Sequence, residues 1–475
     1  MSSLKRINLK EHQTKSRNVI REKDSKGLLV FHGLGSGKTL TSIAMAHNSD
    51  KEVIVIVPAS LKDNYKKEIA KFGANKKKFT IMSFEMSAKT KLQLKNKVLV
   101  VDEAHRLRNT NRKDTKNIID ASKKAEKIIL LTGTPFVNRP NDIASLINII
   151  ARENVFPTNK DKFEQEYIEV TTKVVNVPYK VFGLTIYQNQ QTIQVADIKN
   201  RKEYIKKLGN YVSFYENKNS SNYPSKTVYY KPVVMSAEQE KIHRAIEAEQ
   251  LTNEDRKMLK VNYKPGGYVN ININENENKP KEKSKLNAYL SATRQISNVV
   301  KGKPSPKVFQ MLEKVKNANK PVVVYSNYIS KGVKMFQTLL DKDNITSRLF
   351  TGSTSAKDKK KIVEDYNNRK FDVLCLSRSG SEGLDLKRTR EVHIMEPFWN
   401  NSQLDQVIGR AVRYKSHENM PNNEKNVDIY HWYSVYSKRS SSKDISADKF
   451  LINMSKSKQE LINKFIEATK EASVI

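Results

Sequence analysis

The chain has 475 residues, and its 86 lysines and arginines against 51 aspartates and glutamates give a formal net charge of +35. This length predicts two to four domains, and a hydrophobic content of 37% is enough to build their cores. The single cysteine, Cys375, excludes an intrachain disulfide and a cysteine-based zinc site. No apolar run suggests a signal peptide or a membrane span, so we expect a cytoplasmic protein. A chain this basic favours a polyanion, nucleic acid above all, as its partner.

The first segment with a chemical signature is GLLVFHGLGSGKTLTSIAM, which starts at residue 27. An apolar run, a glycine-rich turn and an amphipathic stretch predict a strand, a loop and a helix, the order that holds a nucleotide phosphate. Lys38 is then expected to reach the β- and γ-phosphates, and Thr39 to ligate Mg²⁺. His32 stands where the usual pattern has its first glycine, and an ordinary glycine turn is the alternative. The predicted ATP-binding residues of this segment are Gly33, Gly35, Ser36, Gly37, Lys38 and Thr39.

Two carboxylates follow a second short apolar run, in KVLVVDEAHRLRN. The run Val98–Val101 is typical of a buried parallel strand, and open α/β sheets bind ligands at the carboxyl ends of such strands. We expect Asp102 to hold Mg²⁺ beside Thr39, and Glu103 to orient and activate the water that attacks the γ-phosphate. A solvated acidic start of a helix is the alternative.

A third strand is predicted over Ile128–Leu131, and further strands in KPVVVYSNY (320–328) and FDVLCLSRSGSEGLDL (371–386). Short polar residues at strand ends suit the phosphate backbone of a nucleic acid, because a motor must tolerate every base sequence. A plain transition from strand to turn is the alternative for Thr132. The predicted nucleic-acid contacts of this kind are Ser83, Thr132, Ser326, Ser377 and Ser381.

The segment NSQLDQVIGRAVRYKSH predicts a helix that starts at Ser402. Gln406, Arg410 and Arg413 are spaced i, i+4 and i+7 and would share one face of it. The apolar residues between them predict that this helix is packed, so its arginines need an anionic partner, for which a γ-phosphate is suitable. A basic, solvated helix face is the alternative.

Eight segments resemble, in order, the motifs of superfamily 2 helicases and translocases, most closely those of the Snf2-like branch. They are GLGSGKT, PASLKDNYKKEI, IMSFE, DEAHRLRN, LTGTPFVN, VVVYSNY, CLSRSGSEGLDL and PFWNNSQLDQVIGRAVR. The resemblance implies an ATPase with two tandem RecA-like lobes, in which Gln13 of LKEHQ reads the adenine and Gly383 and Asp385 also contact the nucleotide. It places Trp399 near the nucleic acid, although a core tryptophan is equally compatible. Snf2-like proteins generally translocate without unwinding, which favours a DNA translocase.

Three further stretches resemble the nucleic-acid-dependent ATPases of large cytoplasmic DNA viruses, such as nucleoside triphosphatase I and the small subunit of the poxvirus early transcription factor. They are residues 211–224, 233–245 and 410–432. This likeness implies a role in viral transcription, in the host cytoplasm or the virion, with a viral RNA polymerase or transcription factor subunit as a partner. Linear cytoplasmic plasmids of yeasts encode relatives too. An RNA- or DNA-unwinding helicase and a non-motor subunit of a transcription or virion assembly are the alternatives.

We therefore predict an α/β protein with two RecA-like parallel-sheet lobes, an inserted and mostly helical accessory domain, and a C-terminal helical tail. The predicted bounds are 1–150 for the first lobe, 151–300 for the accessory domain, 301–437 for the second lobe and 438–475 for the tail. The polar tract 270–285 alternates Asn, Glu and Lys without an apolar period, which predicts a mobile loop.

Overall fold

The computed structural model describes residues 8–33, 35–47, 49–181, 184–216, 222–253, 255–256, 259, 284–378, 384–399, 401–437 and 444–475. Contacts divide the chain into two compact units. Unit 1 comprises Met1–Thr171, Ala196–Asn219 and Glu460–Ile475, and unit 2 comprises Thr172–Val195 and Ser220–Gln459. Residues 151–300 are shared between the two units, and the four-domain division of the sequence stays a prediction.

The strands build one large parallel sheet in each unit, and these two sheets confirm the predicted α/β class. The strands are β1 Gly27–His32, β2 Val53–Val57, β3 Phe79–Ser83, β4 Val98–Asp102, β5 Lys127–Thr132, β6 Ile168–Val181, β7 Leu184–Ile198, β8 Val212–Tyr215, β9 Ser225–Val234, β10 Val299–Val300, β11 Lys303–Pro304, β12 Val322–Ser326, β13 Ser347–Phe350, β14 Val373–Ser377, β15 Glu391–Ile394 and β16 Asn426–Val435. The sheet of unit 1 has the order β3-β2-β4-β5-β1-β8, and that of unit 2 the order β13-β14-β12-β15-β16-β9.

The helices that connect these strands cover the sheets, as parallel connections require. They are Glu11–Arg21, Lys38–His47, Lys62–Phe72, Phe84–Ser87, Lys113–Ser122, Asp142–Ala151, Lys160–Tyr167, Arg201–Leu208, Ala237–Gln250, Ser284–Asn298, Pro306–Lys316, Met335–Lys342, Ala356–Asn367, Asn401–Ala411 and Ala447–Glu471. Within the described ranges, no helix has both the length and the apolar character needed to cross a membrane.

The central strands are buried on both faces, which is why they read as continuous Val/Ile/Leu runs rather than as alternating patterns. Every residue of β2, β4, β12 and β14 is buried. Cys375 lies in the core of unit 2, where burial raises the pKa of its thiol, in agreement with a packing role. The strand order then decides which loops meet: β5 pairs with both β1 and β4, so the ends of these three strands lie side by side.

The C-terminal helix Ala447–Glu471 packs on the body of the protein, as its apolar spacing predicts. In unit 2, Phe450 and Leu451 are buried in a cluster with Tyr289. In unit 1, the ring centroid of Phe465 lies 5.1 Å from that of Tyr204. The tract 270–285, predicted to be a mobile loop, lies outside the described residues except at its C-terminal end, where a helix begins at Ser284.

Candidate ATP site and nucleic-acid contacts

The glycine-rich segment forms the predicted loop between β1 and the helix Lys38–His47. Gly35 and Gly37 have φ of 72° and 82°, values that glycine adopts without strain. A Cβ at Gly37 would lie 2.7 Å from Nε2 of Gln13, so a larger residue there would displace the Gln13 amide. The Lys38 ammonium donates to the carbonyl oxygens of His32 at 3.0 Å and Gly33 at 3.1 Å. The lysine is thus held over the loop in which a phosphate is expected.

Gln13 lies directly against this loop, although the two segments are 24 residues apart. Its side chain is buried, accepts from the backbone N–H of Lys10 at 2.9 Å and donates to the carbonyl of Gly37 at 3.4 Å. The structure therefore brings Gln13 together with the phosphate loop, as an adenine-side residue requires.

A buried cluster of rings and hydroxyls supports the loop from behind, and sequence reasoning missed it. His12 stacks on Tyr215 with ring centroids 3.7 Å apart, and its Nε2 lies 3.1 Å from the carbonyl oxygen of Ser36. His32 is fully buried with Nε2 2.7 Å from Oγ of Ser213, and burial lowers its pKa to about 3. The unusual histidine at the first position of the loop is therefore a neutral core residue. Because His32 and Ser213 are 181 positions apart, no local sequence pattern indicated this contact.

Asp102 and Glu103 lie at the carboxyl end of β4, and each has an unusual environment. Asp102 is buried and accepts from the backbone N–H of Glu103 at 2.9 Å. The pKa of Asp102 is raised to about 7, mainly by burial and also by the Glu103 carboxylate, while Lys38 opposes both effects. Glu103 has φ 52° and ψ 44°, a left-handed conformation that costs a non-glycine residue on the order of 1 kcal/mol and recurs at functional sites.

His105 connects the acidic pair to the next strand of the sheet. Its Nδ1 lies 3.3 Å from a carboxylate oxygen of Glu103 and 3.2 Å from Oγ1 of Thr132. The same hydroxyl accepts from the backbone N–H of Thr134 at 3.0 Å. His105 therefore joins Glu103 to Thr132, a contact that the segment DEAH did not reveal because His105 and Thr132 are 27 positions apart.

Unit 2 brings together the arginines and the acidic residue predicted for the nucleotide. Arg413 donates to the carbonyl of Leu384 at 3.1 Å and to the Asp385 carboxylate at 3.5 Å. The carbonyl of Arg410 accepts from the backbone N–H of Leu386 at 3.2 Å. Gln406 and Arg410 are half-buried on the helix Asn401–Ala411. Gly383 lies outside the described residues.

The helical face predicted for Gln406, Arg410 and Arg413 is wrong for its last member. The helix begins at Asn401, one residue before the predicted start, and ends at Ala411, so Arg413 lies beyond it. The Ser416 hydroxyl donates to the carbonyl of Ala411 at 3.2 Å and accepts from the backbone N–H of Arg413 at 3.3 Å. These bonds turn the chain away from the helix axis. The predicted packing of the helix is confirmed, because Val407 and Ile408 are buried in the core of unit 2.

Three of the short polar residues predicted to touch nucleic acid, Ser83, Thr132 and Ser326, use their hydroxyls inside the protein. Ser83 caps the helix Phe84–Ser87 by accepting from the N–H of Met86 at 3.2 Å. Ser326 is fully buried and donates to the Glu396 carboxylate at 2.9 Å. Thr132 and Ser377 are buried as well. Ser381 lies outside the described residues, and the nucleic-acid role of the five residues stays a prediction.

Trp399 packs within unit 2, as one of its two interpretations expects, and its place near the nucleic acid stays a prediction. Its ring is partly buried and packs against two hydrophobic clusters of unit 2. The ring also lies 4.2 Å beneath the guanidinium of Arg294, a residue that no motif contained.

Comparison with known proteins identifies the family. Residues 73–301 match the model of the SNF2-related domain, and residues 306–415 match the helicase conserved C-terminal domain. A protein of Acanthamoeba polyphaga mimivirus, described as a candidate ATP-dependent RNA helicase, is 35% identical over 98% of this chain and 98% of its own length. A "Termination factor NPH-I homolog" of African swine fever virus is 24% identical over 87% of this chain and 70% of its own length.

Among solved structures, the Sulfolobus solfataricus SWI2/SNF2 ATPase core in complex with dsDNA is similar at 17% identity and a TM-score of 0.36, over 98% of this chain and 97% of that one. The matched domains and the viral relative of full length decide the assignment. The chain belongs to the Snf2-like ATP hydrolases of helicase superfamily 2, in the group of nucleic-acid-dependent ATPases that large DNA viruses encode.

Proposed function

We propose that the chain is a DNA-stimulated ATPase that translocates along DNA during transcription of a large DNA virus. The arrangement of Glu103 carries the ATPase part of this proposal. Its carboxylate sits at a strand end on strained backbone, next to His105, and the neighbouring Asp102 is within the electrostatic influence of Lys38. This is the chemistry that γ-phosphoryl transfer to water requires.

ATP binds to unit 1 with its base at Gln13 and its phosphates on the loop of Gly33, Gly35, Ser36 and Gly37. The residues that would hold Mg²⁺ are Thr39 and Asp102. A buried carboxylate whose pKa is raised to about 7 fits this role, because a cation would offset the cost of its charge. Bound Mg²⁺ would neutralise charge on the phosphates.

Glu103 accepts a proton from the attacking water and His105 fixes its orientation. Arg410 and Arg413 contact the γ-phosphate, with Gln406 beside them, and stabilise the charge that develops on it. Asp385 holds Arg413 in place, and Gly383 belongs to the same nucleotide-binding segment.

The African swine fever virus relative, named as a termination factor homolog, supports a role in transcription. The charge of +35 supports a nucleic-acid partner. We place the protein in the host cytoplasm or the virion, with a viral RNA polymerase or transcription factor subunit as its protein partner.

RNA unwinding is the second candidate, and the mimivirus relative favours it, because that protein of equal length is described as a candidate RNA helicase. A non-motor subunit of a transcription or virion assembly is the third candidate. The chain has every residue that the proposed ATP site requires, which argues against this candidate.

The test is ATP hydrolysis without nucleic acid and with single-stranded DNA, duplex DNA or RNA, with Lys38→Ala as the blank. Strong stimulation by DNA over RNA is the expected result. Stimulation by RNA alone would assign the protein to the RNA helicases. A rate of ATP hydrolysis that no nucleic acid changes would contradict a motor function.

A further inference from the structure

Arg294 of unit 2 is a buried arginine with a hydrogen-bond donor that is not used within the described residues. The residue is 3% exposed, and its Nη1 atom is buried without a hydrogen-bond partner among those residues. Its Nε donates to the carbonyl of Leu290 at 3.0 Å, on its own helix Ser284–Asn298. The guanidinium is therefore held in one orientation while part of its hydrogen-bonding capacity is unused.

The buried carboxylate of Glu396 accepts its hydrogen bonds from residues other than Arg294. Glu396 follows β15 and accepts from the Ser326 hydroxyl at 2.9 Å, the Asn327 backbone N–H at 2.6 Å and the Asn298 amide at 2.9 Å. No ion pair joins Arg294 to a carboxylate in the part of the chain that the structure describes. A buried donor without an acceptor is costly, so the guanidinium is expected to gain an acceptor from outside, and an anion suits its charge.

Aromatic rings shape the surroundings of this guanidinium. It lies 4.2 Å from the ring centroid of Trp399, 5.5 Å from Phe398 and 5.7 Å from Tyr328. The Tyr328 hydroxyl donates to the carbonyl of Ser291 at 3.2 Å, which ties that ring to the helix of Arg294. Fixed rings beside a cation can accept a base or a sugar by stacking.

The position in the sheet favours a ligand. Tyr328 follows β12, Phe398 and Trp399 follow β15, and Arg378 follows β14, so these residues lie at the carboxyl ends of three neighbouring strands. Arg378 is exposed, and its guanidinium lies 5.8 Å from the Phe398 ring. Two arginines thus flank one pair of aromatic rings at the edge where open α/β sheets bind ligands.

We propose that Arg294 binds a backbone phosphate of a single-stranded nucleic acid, with the adjoining base or sugar stacked on Trp399. The inference rests on the proposed nucleic-acid-dependent function and assigns to it one phosphate contact that the motifs do not contain. Arginine suits this task because its planar guanidinium donates two parallel hydrogen bonds to phosphate oxygens. A strand selected by stacking and phosphate contact is bound without regard to base sequence.

The first experiment compares Arg294→Met with Arg348→Met in the full-length protein. Arg348 is a matched control, an exposed arginine whose guanidinium lies 5.9 Å from the Phe371 ring on another part of unit 2. Binding of a fluorescent oligothymidylate is measured by anisotropy over a series of salt concentrations. We expect Arg294→Met to lose affinity by about tenfold and its salt slope to fall by about 0.7, the value for one phosphate contact on a single strand. Arg348→Met should bind like the wild type.

The thermal unfolding temperature separates binding from a structural role. Methionine retains the packing of the arginine stem and removes a buried charge, so Arg294→Met should be as stable as the wild type or more so. Unchanged affinity and salt slope in a folded Arg294→Met would overturn the proposal, while DNA-stimulated hydrolysis by the same protein would leave the proposed function intact. A wild-type chain that binds no nucleic acid would instead refute both.

A second measurement needs no change at Arg294. The chain has two tryptophans, and Trp432→Phe leaves Trp399 as the only one. Oligothymidylate should quench its emission with the same midpoint as the anisotropy signal, whereas inorganic phosphate and ATP at equal phosphate concentration should not. Binding without any change in Trp399 emission would overturn the proposal, as would equal quenching by ATP.

Discussion

The two sheets are alike in construction and differ in the side chains at their carboxyl ends. In unit 1, the strand ends carry the carboxylates Asp102 and Glu103, and Lys38 is held by loop carbonyls. In unit 2, the corresponding end carries Arg294 and Arg378 among aromatic rings. Because both sheets have six parallel strands, the fold does not distinguish them. The side chains near the strand ends do distinguish them, and we propose that those of unit 1 serve phosphate chemistry and that the arginines of unit 2 bind anions.

The largest effect is expected at Arg413, the proposed contact of the γ-phosphate. Arg413→Ala should lower the rate of ATP hydrolysis by about 10³- to 10⁵-fold, as removal of an arginine finger does, and leave the affinity for DNA nearly unchanged. Steady-state hydrolysis and anisotropy on one preparation measure both, with Lys415→Ala, an exposed lysine two residues away, as the control. If DNA affinity collapses and hydrolysis survives, Arg413 belongs to the nucleic-acid contacts instead.

The next effect concerns the base in unit 1. Glu103→Gln should reduce the turnover number by about 10²- to 10⁴-fold because the amide cannot accept the proton. Binding of a fluorescent ATP analogue should stay nearly intact in this variant, and it should weaken in Lys38→Ala. Glu126→Gln, a change of an exposed glutamate, is the matched control. Retained turnover in Glu103→Gln would contradict the assignment of the site.

A smaller effect tests the connection between strand ends in unit 1. His105→Ala should lower the turnover number by about 10- to 100-fold, the usual cost of losing a residue that orients a functional group. Thr132→Ala should have little further effect in that background, because both changes break the same contact. A double-mutant cycle of kcat values measures the coupling. Full additivity of the two changes would show that His105 and Thr132 act independently.

Both units contain a buried histidine, which predicts a shared sensitivity to acid. Burial lowers the pKa of His32 to about 3 and that of His243 to about 4. Below the ordinary value of about 6.5, the unfolded chain binds a proton that the folded chain excludes, so stability falls as the pH falls. Between about pH 7.5 and about pH 5, the free energy of unfolding of the wild type should fall by on the order of 2 kcal/mol more than that of either variant, His32→Gln or His243→Gln. Denaturant unfolding at the two pH values measures this, and equal losses in all three proteins would contradict it.

The smallest effect concerns the strand-end serines. Ser83→Ala should cost about 1 kcal/mol of stability, since it removes a helix cap, and should not change DNA affinity if the hydroxyl has only this role. Ser355→Ala, which removes the corresponding cap of the helix Ala356–Asn367, is the control. A loss of DNA affinity in Ser83→Ala alone would restore the nucleic-acid role predicted from its place at a strand end.

The sequence predicted most of the candidate site because its parts are local. The strand, loop and helix around Lys38 occupy one continuous segment, as do β4 and the carboxylates that follow it. Apolar runs buried on both faces likewise predicted β1, β4, β5, β12 and β14, and the bounds predicted for β4, β5 and β12 differ from the observed ones by one or two residues. Local pattern was insufficient at Arg413, where a serine three residues further on ends the helical run early.

The sequence by itself determined the chemistry: a phosphate loop, an acidic pair after a buried strand, and arginines near the end of the second half. It also determined the family, because eight ordered motifs occupy one chain. Only the tertiary structure decided that His32 is a neutral core residue, that His105 joins Glu103 to Thr132, and that Arg294 lies on Trp399. Each of these contacts joins residues far apart in the chain. They depend on the order of strands in a sheet, which no local sequence pattern specifies.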